Sequence, residues 1–165
     1  MSAKKEAHPV KLDRYDRALL EALQANARLS NQELADKIGL SPSACLRRFK
    51  ALEASGLILG YRTLLDARRL DLDLMALIHI AMDRHTPERF DGFEQAVTAL
   101  PQVMECLLVT GQNADYQLKV IVADLEAYQA LLLDHITQIP GVSGVHTSFV
   151  LRKVVDKTAL PMESV

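Results

Sequence analysis

The stretch Leu29-Ser-Asn-Gln-Glu-Leu-Ala-Asp-Lys-Ile-Gly39-Leu-Ser-Pro-Ser-Ala-Cys-Leu-Arg-Arg-Phe-Lys-Ala-Leu-Glu-Ala-Ser-Gly56 decides how this 165-residue chain is read. Ser30-Asn31-Gln32-Glu33 has the form of a capping box, in which the hydroxyl and the carboxylate each accept from the other's backbone N–H. Leu34, Ala35 and Ile38 then supply a buried helical face. Gly39 is placed to stop the helix. Ser41 caps the next one, and Pro42 suits its first turn, where the missing N–H has no partner to lose. That helix is expected to run to about Ser55. Two helices joined by a tight turn, the second with cations on its outer face, is the form that enters the major groove of DNA.

At 100° per residue the second of these helices sorts its side chains. Cys45, Phe49 and Leu52 fall together as a buried stripe, and Ser43, Arg47 and Lys50 lie opposite. Ala44, Ala51 and Ala54 fill the gaps, small enough for close approach to a groove floor. Arg47 has the geometry for two parallel hydrogen bonds to guanine O6 and N7, worth about 1–3 kcal/mol of discrimination. Ser43 reaches a base edge or a phosphate, and Lys50 a phosphate. Arg48, nearer the apolar stripe, is expected at a phosphate or in an internal ion pair. Asn31 marks a helix N-terminus able to offer N–H groups to a phosphate. With Ser41 and Ala44, these are the candidate DNA contacts. The competing reading, a small solvated bundle, loses weight against the charge distribution. Residues 1–62 carry eleven Lys/Arg against seven Asp/Glu, a net +4, while residues 63–165 carry −6, giving the overall −2. Only one half is suited to meet phosphate.

Outward from this core, Asp13 is placed to cap an earlier helix bearing Leu19, Leu20 and Leu23. Residues 1–10 read as a flexible arm and 11–62 as the helix-turn-helix domain. Leu57–Leu65 reads as a strand pair or extended linker, and the boundary falls in a linker over 63–73. Leu74–Met82 is predicted as a strand apolar on both faces, hence buried. Thr86-Pro87 opens a helix with Phe90, Phe93, Val97 and Leu100, ended by Pro101. Val103–Thr110 and Tyr116–Val122 are strands around a Gly111–Asp115 turn. Asp124 caps a helix carrying Leu125, Tyr128, Leu132, Ile136 and Ile139, and Val142–Val155 is a long last strand. The order βαββαβ is ferredoxin-like, making the chain α+β with an assembly domain over 74–157. Residues 158–165 read as a frayed tail. The apolar surface of Leu74–Met82 and Val145–Val155 exceeds what two short helices cover, which points to a subunit interface.

About half of the residues are apolar, enough for a core, and no apolar run reaches the roughly 18 residues of a membrane span. The N-terminus lacks a signal-peptide core. Two cysteines, Cys45 and Cys106, make no disulfide framework and suit a reducing cytoplasm. His8, His79, His85, His135 and His146 form no metal-spaced set. No phosphate loop, nucleophile motif or carboxylate pair is present. Neither an enzyme, a metal nor a cofactor is expected. A small-molecule-binding metabolic module or enzyme without a specific DNA site is the alternative.

Several stretches together resemble the leucine-responsive/asparagine-responsive (Lrp/AsnC) regulator family: Leu12-Asp13-x-x-Asp16, Arg28-Leu-Ser-Asn-Gln-Glu-Leu-Ala35, Gly39-Leu-Ser-Pro-Ser-Ala-Cys-Leu-Arg-Arg48, Leu52-Glu-Ala-Ser-Gly-Leu-Ile-Leu-Gly-Tyr61, Val109-Thr-Gly111, Asp115-Tyr116 and Pro140-Gly-Val142. The resemblance covers about Lys11 to Lys157. It implies a winged-type helix-turn-helix, a ligand-regulated α/β domain, and dimers assembling further, commonly into octamers. It also implies a small-molecule effector, often an amino acid, bound where dimers meet, around the turn between the second and third strands. On this chain those positions are Thr110, Gly111, Gln112, Asn113, Asp115 and Tyr116. Asp115 suits an ammonium group, Thr110, Gln112 and Asn113 offer hydrogen bonds, and Gly111 permits close approach. Three residues separate Gly111 from Asp115, where the family pattern has two at most, so ligand identity does not transfer. Residues around Leu133 to Thr137 are a further candidate wall.

Overall fold

The computed structural model describes residues 10–112 and 114–162, and for Gly111 and Gln112 the strand pairing only. The chain divides into two compact units. One comprises the residues up to Thr63 together with those from Val155, and the other is Leu64–Val154.

In the first unit, α1 (Arg14–Ala25), α2 (Asn31–Ile38) and α3 (Pro42–Ala54) pack around Leu19, Leu20, Leu23, Leu34, Ala35, Cys45 and Leu52. Each start is capped as expected. Asp13 accepts from the Tyr15 and Asp16 N–H groups, Ser30 and Glu33 form the reciprocal box, and Ser41 accepts from Ala44 N–H. Gly39 closes α2 at φ 71°, in the left-handed region that a side chain would strain.

One alternative is resolved and one expectation fails here. Residues 57–66 carry no strand among the described residues, so of the two readings this is a linker and not a strand pair. The described part of the tail, up to Met162, is not frayed. Gln24 donates its side-chain amide to Leu160 O at 3.2 Å and accepts from Leu160 N–H at 2.6 Å, while Met162 is buried in the helical core. One amide satisfies both backbone groups of Leu160, and an apolar side chain follows it into the core.

The second unit has the order β1 (Leu74–Met82), α4 (Pro87–Thr98), β2 (Val103–Gln112), β3 (Ala114–Val122), α5 (Leu125–Ala130) and β4 (Val142–Phe149). The sheet order β2-β3-β1-β4 is antiparallel throughout, the ferredoxin-like arrangement with its helices on one face. That face buries Ala76, Ile78, Ile80 and Met82 of β1 and Tyr116, Leu118, Val120 and Val122 of β3 against Phe93, Val97, Tyr128, Leu131 and Ile136. Full burial of a large apolar side chain contributes about 1.5–3 kcal/mol, so this shared core holds the unit. β1 is not buried on both faces as its composition suggested. Met75, Leu77, His79 and Ala81 point to the other face and are half-buried, because both helices lie opposite.

Boundaries shift for physical reasons. β4 stops near Val150, whose N–H bonds Met75 O at 2.9 Å, because β1 begins at Leu74 and offers no partner beyond. α4 ends at Thr98, before Pro101. The helix expected over 124–139 breaks into α5, a π-helical turn Leu131–His135 and a 3-10 turn Ile136–Gln138.

Candidate functional site

Ser43, Arg47 and Lys50 of α3 are exposed, at spacings of four and three residues that place them on one helical face. Among the described residues, no hydrogen bond or ion pair engages Arg47 or Lys50. Ser43 meets only Ser41, hydroxyl to hydroxyl at 3.2 Å. Ala44 is half-buried beside them. The cations are therefore uncommitted donors on a face without competing carboxylates bound to them.

Three other candidates are occupied inside the unit. Arg48 Nη1 donates to Asp16 Oδ1 at 2.8 Å and Asp13 Oδ2 at 2.7 Å, with its guanidinium 5.3 Å from the centre of the Tyr15 ring. In the free chain Arg48 takes the internal ion pair, one of its two expected roles. The Asp16 N–H and then the Arg48 guanidinium hold the Asp13 carboxyl below its ordinary range, and the Asp16 and Asp13 carboxylates raise Arg48. Asn31 donates from Nδ2 to Pro42 O at 2.8 Å, bracing α2 against the start of α3, so its side chain serves the turn. Ser41 caps α3 by accepting from Ala44 N–H, which leaves its O–H as a donor. Helical periodicity revealed the outer face and the Ser41 cap, but not the partners of Asn31 and Arg48, which lie 11 to 35 positions away.

At the second site, β2 and β3 form a hairpin in which Gln112 faces Ala114. The strands thus extend into the segment expected as a turn. Asn113 lies outside the described residues. Thr110 is exposed. Tyr116 is core: its ring lies 4.6 Å from that of Phe93 and edge-on to Phe90 at 5.7 Å, and its hydroxyl donates to Glu94 Oε1 at 2.8 Å. Burial first, and then Glu94, pushes its phenol well above the ordinary value. Tyr116 therefore anchors β3 and offers no open contact.

Asp115 is set into the end of the sheet, its side chain 21% exposed. Oδ2 accepts from Met82 N–H at 2.7 Å, and Oδ1 lies 2.7 Å from His85 Nε2. Close by in sequence, Asp83 pairs with Arg89 at 3.2 Å and donates its N–H to Gly141 O at 2.7 Å. His85 was not anticipated; thirty residues from Asp115, it carries no local signal. A cleft of about 310 Å³ lies elsewhere, lined by Ala96, Leu100, Asp134, His135, Gln138, Ile139 and Pro140. It takes in part of the further wall considered around 133–137 and none of the residues 110–116. Among the described residues no cluster of three or more metal-binding side chains occurs. No helix among them is long and apolar enough to cross a membrane.

A cationic helix-turn-helix unit joined to a ferredoxin-like unit defines a two-part protein, one part for nucleic acid and one for a ligand. Residues 12–58 match the winged helix-turn-helix DNA-binding model, and residues 75–160 match the Lrp/AsnC ligand binding domain. The leucine-responsive regulatory proteins of Escherichia coli K12 and Klebsiella pneumoniae are each 40% identical over 153 residues, 93% of this chain and 93% of theirs. Among solved structures, a transcriptional regulator in complex with L-Met from Neisseria meningitidis superposes with TM-score 0.89 at 36% identity, covering 93% of this chain and 99% of that one. An AsnC family regulator from Agrobacterium tumefaciens gives 0.87 at 31%, covering 93% and 99%. The chain belongs to the Lrp/AsnC family of transcriptional regulators, with a DNA-binding helix-turn-helix and a ligand-binding domain.

Proposed function

We propose that this protein binds specific duplex DNA sites through Ser43, Arg47 and Lys50, and that an amino acid bound near Asp115 modulates the binding. The observation that carries the effector part is the Asp115 carboxylate, recessed at a strand end and oriented by Met82 N–H. A fixed, partly desolvated carboxylate suits the ammonium of a zwitterion. The relative solved with L-Met supports an amino acid as the class of effector. The protein works as a homodimer, with further assembly toward an octamer, and the effector sits between dimers. The half-buried Met75, Leu77 and His79 on the helix-free sheet face support association of copies. A ligand acts on DNA affinity only by preferring one assembly geometry over another. The protein is not an enzyme, and it works in the cytoplasm.

A salt-titrated DNA-binding assay, run with and without each amino acid, tests this. Affinity falls steeply with salt and retains a specific-over-nonspecific ratio. Asp115→Asn and Gly111→Trp abolish the ligand response while basal DNA binding persists. An intact response in Gly111→Trp sinks the pocket assignment. A flat salt response favours a metabolic module with no DNA site.

A further inference from the structure

We propose that His85 is a built-in competitor for the effector's ammonium group, so that effector affinity rises as the pH rises. This rests on the reading of Asp115 as the ammonium site.

Asp115 has two carboxylate oxygens and both are engaged. Met82 N–H holds Oδ2 at 2.7 Å, a backbone bond that fixes the side chain and cannot be given up without disturbing the strand end. His85 Nε2 meets Oδ1 at 2.7 Å. The imidazole is 68% exposed and the carboxylate side chain 21%, so the ring lies on the solvent side of the group it contacts. Its position is set by packing: the His85 ring lies 5.9 Å from Phe90, which sits edge-on to Tyr116, the residue after Asp115. His85 thus occupies the solvent side of Oδ1, and an incoming ammonium displaces it or shares that oxygen with it.

Other charged groups surround the contact. Asp83 and Arg89 pair with each other at 3.2 Å. Glu94 of α4 is held by the Tyr116 hydroxyl. Arg84 beside His85 and Glu88 in the first turn of α4 complete the ionisable groups of this connection and helix start. Asp115 on β3 is the carboxylate that His85 meets.

A protonated imidazole competes with an ammonium charge for charge, whereas a neutral one offers only a neutral N–H. Histidine is the side chain that makes this change between about pH 5 and 8. A free amino acid stays zwitterionic across the range used below. The pair is exposed on the histidine side, so its weight is modest, and the effect on affinity is about two- to fivefold.

The test is calorimetric titration of the full chain with L-methionine, then with the other protein amino acids, at about pH 5.5 and 7.5. The proteins are the native chain, His85→Gln and Asp115→Asn. The native chain binds about two- to fivefold more tightly at the higher pH. His85→Gln, which keeps a donor but has no imidazole, shows no pH dependence. A native chain with flat affinity, or His85→Gln with the native profile, overturns the competition. If Asp115→Asn abolishes binding in that case, the effector reading stands without it. Unchanged binding in Asp115→Asn, or no binding by any amino acid, overturns both.

Discussion

Arg48 Nη1 lies 2.8 Å from Asp16 Oδ1, tying α3 to α1 through a bond spanning 32 residues. Arg48 adjoins Arg47 in sequence, yet the two cations do opposite things: one is locked inward and the other is uncommitted. Arg48→Ala is expected to lower the thermal midpoint and weaken binding to all DNA sequences alike, because it loosens the placement of α3. The same tie has a pH signature. The Asp13 carboxyl is held below its ordinary value, so its contribution is present above about pH 4 and lost as the pH falls through the lowered folded value. Acid unfolding followed by circular dichroism checks this: Asp13→Asn flattens that limb of the stability profile.

Arg47→Ala leaves stability within about 0.5 kcal/mol but relaxes sequence preference by about 1–3 kcal/mol at the base it reads. Lys50→Ala weakens binding evenly and reduces the salt slope by about 1. Selection from a random DNA pool separates the first effect, and a salt titration the second.

Gly141 adopts φ 99°, and a β-carbon there would sit 3.0 Å from both Arg89 Cδ and Met82 Cε. Gly141→Ala is expected to destabilise by about 1–3 kcal/mol through backbone strain and crowding. Denaturant unfolding measures it. Because Met82 N–H orients Asp115, effector affinity falls as well.

Cys106 is exposed, but its thiol is pushed up to about 11, by desolvation first and by the Glu94 charge second. The thiolate is the reactive form, so Cys106 is almost wholly protonated at neutral pH. Iodoacetamide at about pH 7 should modify the native protein more slowly than a free thiol of ordinary pKa near 8.5. Glu94→Gln should quicken the reaction.

Met162→Ala is expected to cost about 2 kcal/mol, a large loss for a side chain three residues from the end of the sequence. Gln24→Ala, which strands both backbone groups of Leu160, should act in the same direction. Thermal unfolding of the two variants checks both.

What the sequence made legible was local. The caps at Asp13, Ser30 and Ser41, the stop at Gly39 and the stripe Cys45–Phe49–Leu52 each involve partners within a few positions, and each appears in the structure. The βαββαβ order was readable because apolar runs alternate in period. Contacts between distant positions were not readable. Asn31 to Pro42, Arg48 to Asp13, and His85 to Asp115 depend on how elements meet. Tyr116 shows the same limit: the family resemblance implied a ligand contact there, but the alternation of β3 turns it inward to Phe93. The unbroken apolar run Leu131-Leu132-Leu133 hid the π-helical turn, since a run without polar punctuation carries no phase.

The return of Met162 to the core laid down by residues 19–52 has a consequence for how the molecule comes into being. On the ribosome, the whole ligand-binding unit is synthesised between the first and last pieces of the DNA-binding unit. The helices emerge early, and Met162 joins their core only when the segment carrying it follows. The Met162 contact therefore forms only after the ligand-binding unit has been synthesised, and a nascent chain that has made only α1 to α3 lacks that part of its core.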